Sequence, residues 1–372
     1  MSMGSVKRLA EEVARGLREA HPGLRKTVVD KLALAVGAML EGQTPNTAEL
    51  ANLLPLETPR QDMREQWLRR LLKNRLIDSA TILEPWARSE LAKAASGDQT
   101  VLLSLDQSDL GDRMAVLMVA LRVGDRALPL AWCAEEGAAN LGWEAQRGLL
   151  ERVRSWVPPG VAVLLCADRF YPSVALLEWL QAQGWSYRLR LKGNLRVDSG
   201  QSEETTTGAL AQGVRERYLT EVGLFACGVR THLGILHDPG HPQPWIIAMD
   251  ALPTRTRVLD YAARWCIEPM FSDLKSRGFN LQHSQLQHAD RLERLVLIMA
   301  LAMYWCVRAG RAEALASPTP LEKNSRPNTT LSIGPSKKPP AACCPGLNAV
   351  CAIYSAVSKT TARYPLFMPA SN

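Results

Sequence analysis

Asp106, Asp168 and Glu268 are the residues of this chain best suited to do chemistry together. Asp106 closes the apolar run 100–106 (Thr-Val-Leu-Leu-Ser-Leu-Asp), and Asp168 closes a second, 161–168. Glu268 lies inside 261–275, which reads as helix. Two strand-end aspartates and a helical glutamate can converge on two divalent cations, the apparatus for in-line attack on a phosphodiester. Hard oxygen donors favour two Mg2+ ions, or Mn2+ in their place, over zinc. Three clustered carboxylates repel one another without cations, so the metal-free site is expected to be loose or partly protonated. Asp109, three residues past Asp106, is the nearest competitor for the first position.

Around Glu268 the pattern is Tyr261-x2-Arg264-x3-Glu268-x6-Lys275. At about 100° per residue these four positions fall within about 60° of one another on an α-helix. Glu268 is then free to reach a metal while Arg264 and Lys275 reach phosphate oxygens. The plainer alternative is a solvated face with an Arg264–Glu268 ion pair at i,i+4.

Several elements must position these residues. Residues 1–95 read as helical, with Thr47 as an N-cap, Pro55 as a break, and a helix from about residue 59 burying Met63, Trp67, Leu68, Leu71 and Leu72. Its other face carries Arg64, Arg69, Arg70 and Lys73, which suits either a helix-turn-helix reader of DNA or a bundle with a solvated basic face. Runs at 100–106, 114–123 and 127–133 predict three strands, followed by a helix over 143–156 and the strand ending at Asp168. A helix over 173–183, begun by Pro172-Ser173, and a strand over 186–191 complete residues 96–191. Three antiparallel strands followed by alternating helix and strand give a mixed α/β class with the ribonuclease-H-like order. Residues 192–255 predict a β-rich insertion, with strands near 217–221, 228–236 and 244–249. Residues 256–310 return to helix over 257–277 and 291–307. The tail, 311–372, is rich in proline and poor in apolar period, and is expected to be poorly structured.

The 372 residues carry a net charge of +7, enough to favour a polyanion. There is no run of eighteen apolar residues and no signal-peptide pattern, so the expectation is a soluble, cytoplasmic protein without a membrane partner. Eight cysteines and six histidines lack metal-ligand spacing, and Cys166 and Cys266 read as small core residues. Arg190 and Lys192 alternate along one strand, facing either phosphate or solvent. Trp245, at the last strand of the insertion, is either an exposed stacking platform or a core residue beside Ile246 and Ile247.

The spacing of Tyr261, Arg264, Glu268 and Lys275 resembles the YREK signature of DDE transposases of the insertion-sequence-four family. Asp168-Arg169-Phe170-Tyr171 resembles that family's second-aspartate motif, with Arg169 in its basic, aromatic tail, and the resemblance carries the first metal-binding role onto Asp106. It implies Mg2+-dependent cleavage and transfer of double-stranded DNA, acting on element ends and target, with a homodimer on paired ends in a bacterial cytoplasm. It further implies end-recognition helices in 1–95, a β insertion before the glutamate, and a hairpin-stacking tryptophan at Trp245. Relatives continue with basic helical sequence where this chain has its proline-rich tail, which suggests a shifted reading frame near residue 325. Two alternatives stand beside transposition: a ribonuclease-H-like nuclease without strand transfer, and a catalytically defective protein that binds DNA ends.

Overall fold

The computed structural model describes residues 3–137, 140–198, 200, 205–238 and 242–316. Five helices precede the first strand: α1 (Met3–Ala20), α2 (Lys26–Gly42), α3 (Thr47–Leu53), α4 (Gln61–Leu72) and α5 (Ser79–Ala94). Asn46, not Thr47, caps α3, its Oδ1 accepting from the backbone N–H groups of Ala48 and Glu49 at 3.0 and 3.4 Å. An asparagine in extended conformation can reach the orphan donors of the first turn, whereas Thr47 already lies inside the helix.

Compact packing divides the chain into two units, one of 3–86, 123–128 and 270–316, the other of 87–122 and 129–269. In the first unit α2 buries Val29, Leu32, Val36 and Met39 against α1 and a long closing helix, α11 (Ala289–Ala316). α11 is long and apolar enough to cross a membrane by length and composition, yet 72% of that window is buried within the protein, which is how a core helix reads. It runs beyond both the expected end at 307 and the start of the proline-rich tail, because Gly310 is buried within the helix and does not terminate it. The rest of the tail, from residue 317, lies outside the described residues, as does the suggested frame shift.

Two expectations for α4 are corrected. Met63 is exposed, and Leu68, Leu71 and Leu72 carry the buried face without it. Arg64 is not on a free basic face: its guanidinium donates to the carbonyls of Asn52, Leu54, Leu56 and Thr58. Chain leaving α3 through Pro55 exposes carbonyls without helical donors, and one planar guanidinium with five N–H groups satisfies four of them.

All of a ten-stranded mixed sheet lies in the second unit except the end of its second strand and the start of its third. Its strands are β1 (Val101–Asp109), β2 (Met114–Val123), β3 (Arg126–Glu136), β4 (Val163–Ala167), β5 (Ser186–Arg190), β6 (Arg196–Asp198), β7 (Thr205–Thr206), β8 (Glu216–Leu224), β9 (Val229–Leu236) and β10 (Trp245–Met249), in the order β3-β2-β1-β4-β5-β10-β9-β8-β6-β7. β2 is buried at nearly every position and β4 at all five, the pattern of strands covered on both faces. Helices α6 (Trp143–Trp156) and α7 (Val174–Gln183) provide the crossovers that let β1, β4 and β5 run parallel. The strands of 192–255 join the same sheet, with β10 antiparallel to β5. The short helix α8 (Thr207–Ala211) lies among them.

After β10 the single helix expected over 257–277 does not form. Instead α9 (Arg255–Leu259) tightens into a 3-10 segment at Asp260–Cys266, relaxes into α10 (Ile267–Ser272) and widens into a π turn at Asp273–Arg277. Asp273 is buried there and accepts from Arg126 at 2.8 Å, while its carbonyl accepts from the Phe279 N–H. Such changes of helical pitch occur where side-chain packing overrides regular backbone hydrogen bonding.

Candidate active site

Sheet register brings the two aspartates together. β1 and β4 are adjacent and parallel, and their ladder pairs Leu105 with Ala167. The next residue of each chain is therefore an aspartate, and both lie at the carboxyl end of the parallel pairing, where α/β sheets open to ligands. Asp106 is not the last residue of its strand, as the apolar run suggests: antiparallel pairing with β2 carries β1 on to Asp109. Asp168 does not cap the helix that follows. Ser173 does so, accepting from the Leu176 N–H, which leaves the Asp168 carboxylate for other partners.

The third carboxylate arrives through the 3-10 segment. At three residues per turn, Tyr261 and Arg264 align on one edge, and that edge faces inward. Tyr261 is fully buried and its hydroxyl donates to Asp168 Oδ1 at 3.2 Å. Arg264, 5% exposed, donates from Nη1 to Asp106 Oδ2 at 2.8 Å and from Nη2 to Glu268 Oε1 at 2.5 Å. Asp106 also accepts from its neighbour Gln107 N–H at 2.9 Å and from the Tyr171 hydroxyl at 3.2 Å. Asp168 accepts from the Arg169 N–H at 2.7 Å. Asp106, Asp168 and Glu268 thus share a network of Tyr171, Tyr261 and Arg264, while Glu268 keeps more than half of its side chain exposed.

Electrostatics follow from this packing. Burial pushes the Asp106 carboxyl above its ordinary value; Arg264 pulls it back, and nearby Asp168 adds to the rise. Burial also raises the Tyr171 and Tyr261 hydroxyls, aided by Asp106 in the first case and opposed by Arg264 in the second, so both phenols stay protonated donors. For Arg264, burial alone would lower the pKa, but Tyr261, Asp106, Asp168 and Glu268 together outweigh it, so the guanidinium remains charged. Cys166 and Cys266 are buried, their thiols pushed up to about 12 and about 11 by burial, which is core behaviour.

A hard divalent cation suits the chemistry of these donors, all of them carboxylate oxygens. Their arrangement is another matter: among the described residues no three of His, Cys, Asp and Glu are gathered to hold a metal. Asp106 and Glu268 meet through a guanidinium.

The other expected site residues are distributed. Trp245 packs against the buried cluster of Leu236, Ile247, Met249, Val258 and Tyr261, and its ring meets Tyr261 and Trp265 edge-on at 5.2 and 5.6 Å. It is half-buried, and the neighbouring Trp265 is 45% exposed. Arg169 and Lys192 both approach the exposed ring of Phe170, at 5.8 and 5.0 Å from its centre. Arg190 ends β5 and lies close enough to oppose, after Arg264, the burial-driven rise of the Tyr261 hydroxyl. Lys275 sits on the π turn, in the first unit, together with Arg69, Arg70 and Lys73 of α4. Arg69 pairs with Glu65 at 2.7 Å. Asp109 is exposed and accepts from Gln107 Nε2.

Sequence reasoning gave no role to Tyr171 or Phe170, although both stand in the quoted 168–171 motif. The residue types were visible there, but the direction of each side chain was not.

Residues 137–305 match the family model of the transposase DDE domain. The match covers a little under half of the chain; it includes Asp168, Tyr261, Arg264 and Glu268 and begins beyond Asp106. It supports a DDE transposase, and the mixed α/β sheet with its carboxylate-bearing strand ends is compatible with one. No curated protein matches the chain.

Proposed function

We propose that the protein is a cut-and-paste transposase of the insertion-sequence-four type, with Tyr261, Arg264, Glu268 and Lys275 as its signature and a ribonuclease-H-like core. The observation that carries this reading is the β1–β4 register, which sets Asp106 beside Asp168, together with the Arg264 link from Asp106 to Glu268. Asp106, Asp168 and Glu268 would hold Mg2+ or Mn2+, which when bound activates the attacking oxygen and steadies the leaving one. The chain's own residues do the positioning. Tyr171 and Tyr261 fix the carboxylates of Asp106 and Asp168 by donating to them, and Gln107 and Arg169 add backbone N–H donors. Arg169 and Lys192, gathered at Phe170 next to Asp168, supply positive charge for the phosphate backbone of the cleaved strand. Exposed Arg70 and Lys73 of α4 add affinity for element ends, and a homodimer on paired ends completes the assembly.

Labelled end-containing DNA incubated with Mg2+ tests this. Wild type should nick and join; nicking without joining favours a nuclease, and a mobility shift without cleavage favours a DNA-binding protein. Single replacement of Asp106, Asp168 or Glu268 by Ala should abolish nicking and leave end binding within a few-fold. Normal Mg2+-dependent nicking by Glu268→Ala would remove the site assignment.

A further inference from the structure

Arg264 occupies the position of a counter-ion. Its two terminal nitrogens bind carboxylates that are 162 residues apart in the chain, Asp106 at 2.8 Å and Glu268 at 2.5 Å. It is 95% buried, and its charge reaches both carboxylates. Its Nε is buried without a hydrogen-bond partner, so this placement does not satisfy the whole guanidinium. Asp106 Oδ1 is already taken by Gln107 and Tyr171, which leaves Oδ2 as the oxygen for which a cation must compete with Arg264.

We infer that Arg264 is an exchangeable internal counter-ion: its salt bridge to Asp106 and Glu268 and the binding of a divalent cation by those carboxylates exclude each other. This inference rests on the metal-dependent reading of the same site. Without a divalent ion, the guanidinium offsets the repulsion among the carboxylates and holds Glu268 on Asp106. When the ion binds, Arg264 is released with its fork of N–H donors available to a phosphate oxygen, the group that a guanidinium recognises best after a carboxylate. Metal loading and phosphate capture are thereby ordered, because the residue that would grip phosphate is committed until the cation arrives. Nearby charge alone gives a different expectation, in which any cation at position 264 weakens metal binding equally. The planar fork spans two carboxylates at once, whereas an ammonium is a point charge that cannot hold both in the same geometry.

The test uses the full chain without DNA, reading Mn2+ affinity by the paramagnetic resonance of the free ion, with folding checked by circular dichroism. Arg264→Lys keeps the charge and should bind Mn2+ roughly tenfold more tightly than wild type, a change of about 1.4 kcal/mol. Arg264→Gln should bind at least as tightly as Arg264→Lys. In a parallel experiment on wild type, the guanidinium nitrogen signals of Arg264, assigned by their loss in Arg264→Lys, should be resolved without metal and collapse on addition of Mg2+. Arg264→Lys equal to wild type, or signals unchanged at saturating Mg2+, would overturn the exclusion while leaving the metal site intact. Failure of wild type and both variants to bind Mn2+ would overturn the exclusion and the metal-dependent function together. Should Arg264→Lys fail to fold, loss of the same signals in Arg264→Gln assigns them, and the nitrogen experiment on wild type remains decisive.

Discussion

Tyr171 shows how much of a site rests on side chains that carry no obvious chemistry. It is buried, and its hydroxyl donates to Asp106. Tyr171→Phe should cost about 1.5–3 kcal/mol in stability, the range for one hydrogen bond to a charged group. It should slow nicking more than end binding; equal losses in both would mean general destabilisation. Asp109 is the contrast: it is exposed and accepts from Gln107, so Asp109→Ala should cost far less nicking than Asp106→Ala. A pH dependence follows from Asp106 as well. Burial raises its carboxyl above the unfolded value despite Arg264, so the folded chain holds that proton more tightly. Stability from this group is therefore largest at low pH and is lost as pH rises from the ordinary carboxylate range through the raised value. Asp106→Asn should escape that loss, gaining stability relative to wild type across this window, with the difference level above it. Denaturant unfolding of both proteins in chelator measures the difference, and a gap that shrinks as pH rises would contradict the sign.

At the scale of elements, the segment that brings Glu268 to the aspartates depends on close packing of β9 against α9. A Cβ on Gly234 would meet Val258 Cγ2 at 2.2 Å and the Met249 side chain at 3.1 Å. Val258 is fully buried in the cluster that also holds Tyr261. Gly234→Ala should therefore push α9 outward, costing about 1–3 kcal/mol of overpacking. The Tyr261 and Arg264 contacts follow directly along the chain, so nicking should fall with stability, and the second replacement Val258→Ala should recover part of both. No recovery in the double variant would show that the packing of β9 on α9 is not what sets the 3-10 segment.

For the whole molecule, the net charge of +7 says that the chain suits a polyanion but not which cations meet it. The structure separates them by what each already holds. Arg64 is engaged with four carbonyls, whereas Arg70 and Lys73 are exposed on α4. Replacing Arg70 and Lys73 together by Ala should lower the slope of log K against log salt for end binding by about two units, roughly one per phosphate contact. Arg64→Ala should leave that slope unchanged and reduce the thermal stability. A slope lowered by Arg64→Ala instead would return that residue to the DNA-binding face.

Alternation, apolar period and turn residues act over a few neighbours, and they sufficed for the order of the longer strands and helices, though not for β6, β7 or α8. The sequence by itself also placed Ser173 as the start of α7 and the two aspartates at the limits of apolar runs, as observed. The spacing of Tyr261, Arg264 and Glu268 was legible too, but its direction was not. A regular α-helix was expected to show these residues to DNA, and tertiary packing rewound that stretch into 3-10, α and π turns and turned Tyr261 and Arg264 inward. Local pattern cannot anticipate that change, because the acceptors of Arg264 and Tyr261, on β1 and just past β4, lie 158 and 93 residues away. The same holds for Arg64, whose basic-face appearance gave no sign of the carbonyls waiting beyond α3. Residue type fixes what a side chain can bond; only the folded chain decides which partner is within reach when water has been excluded.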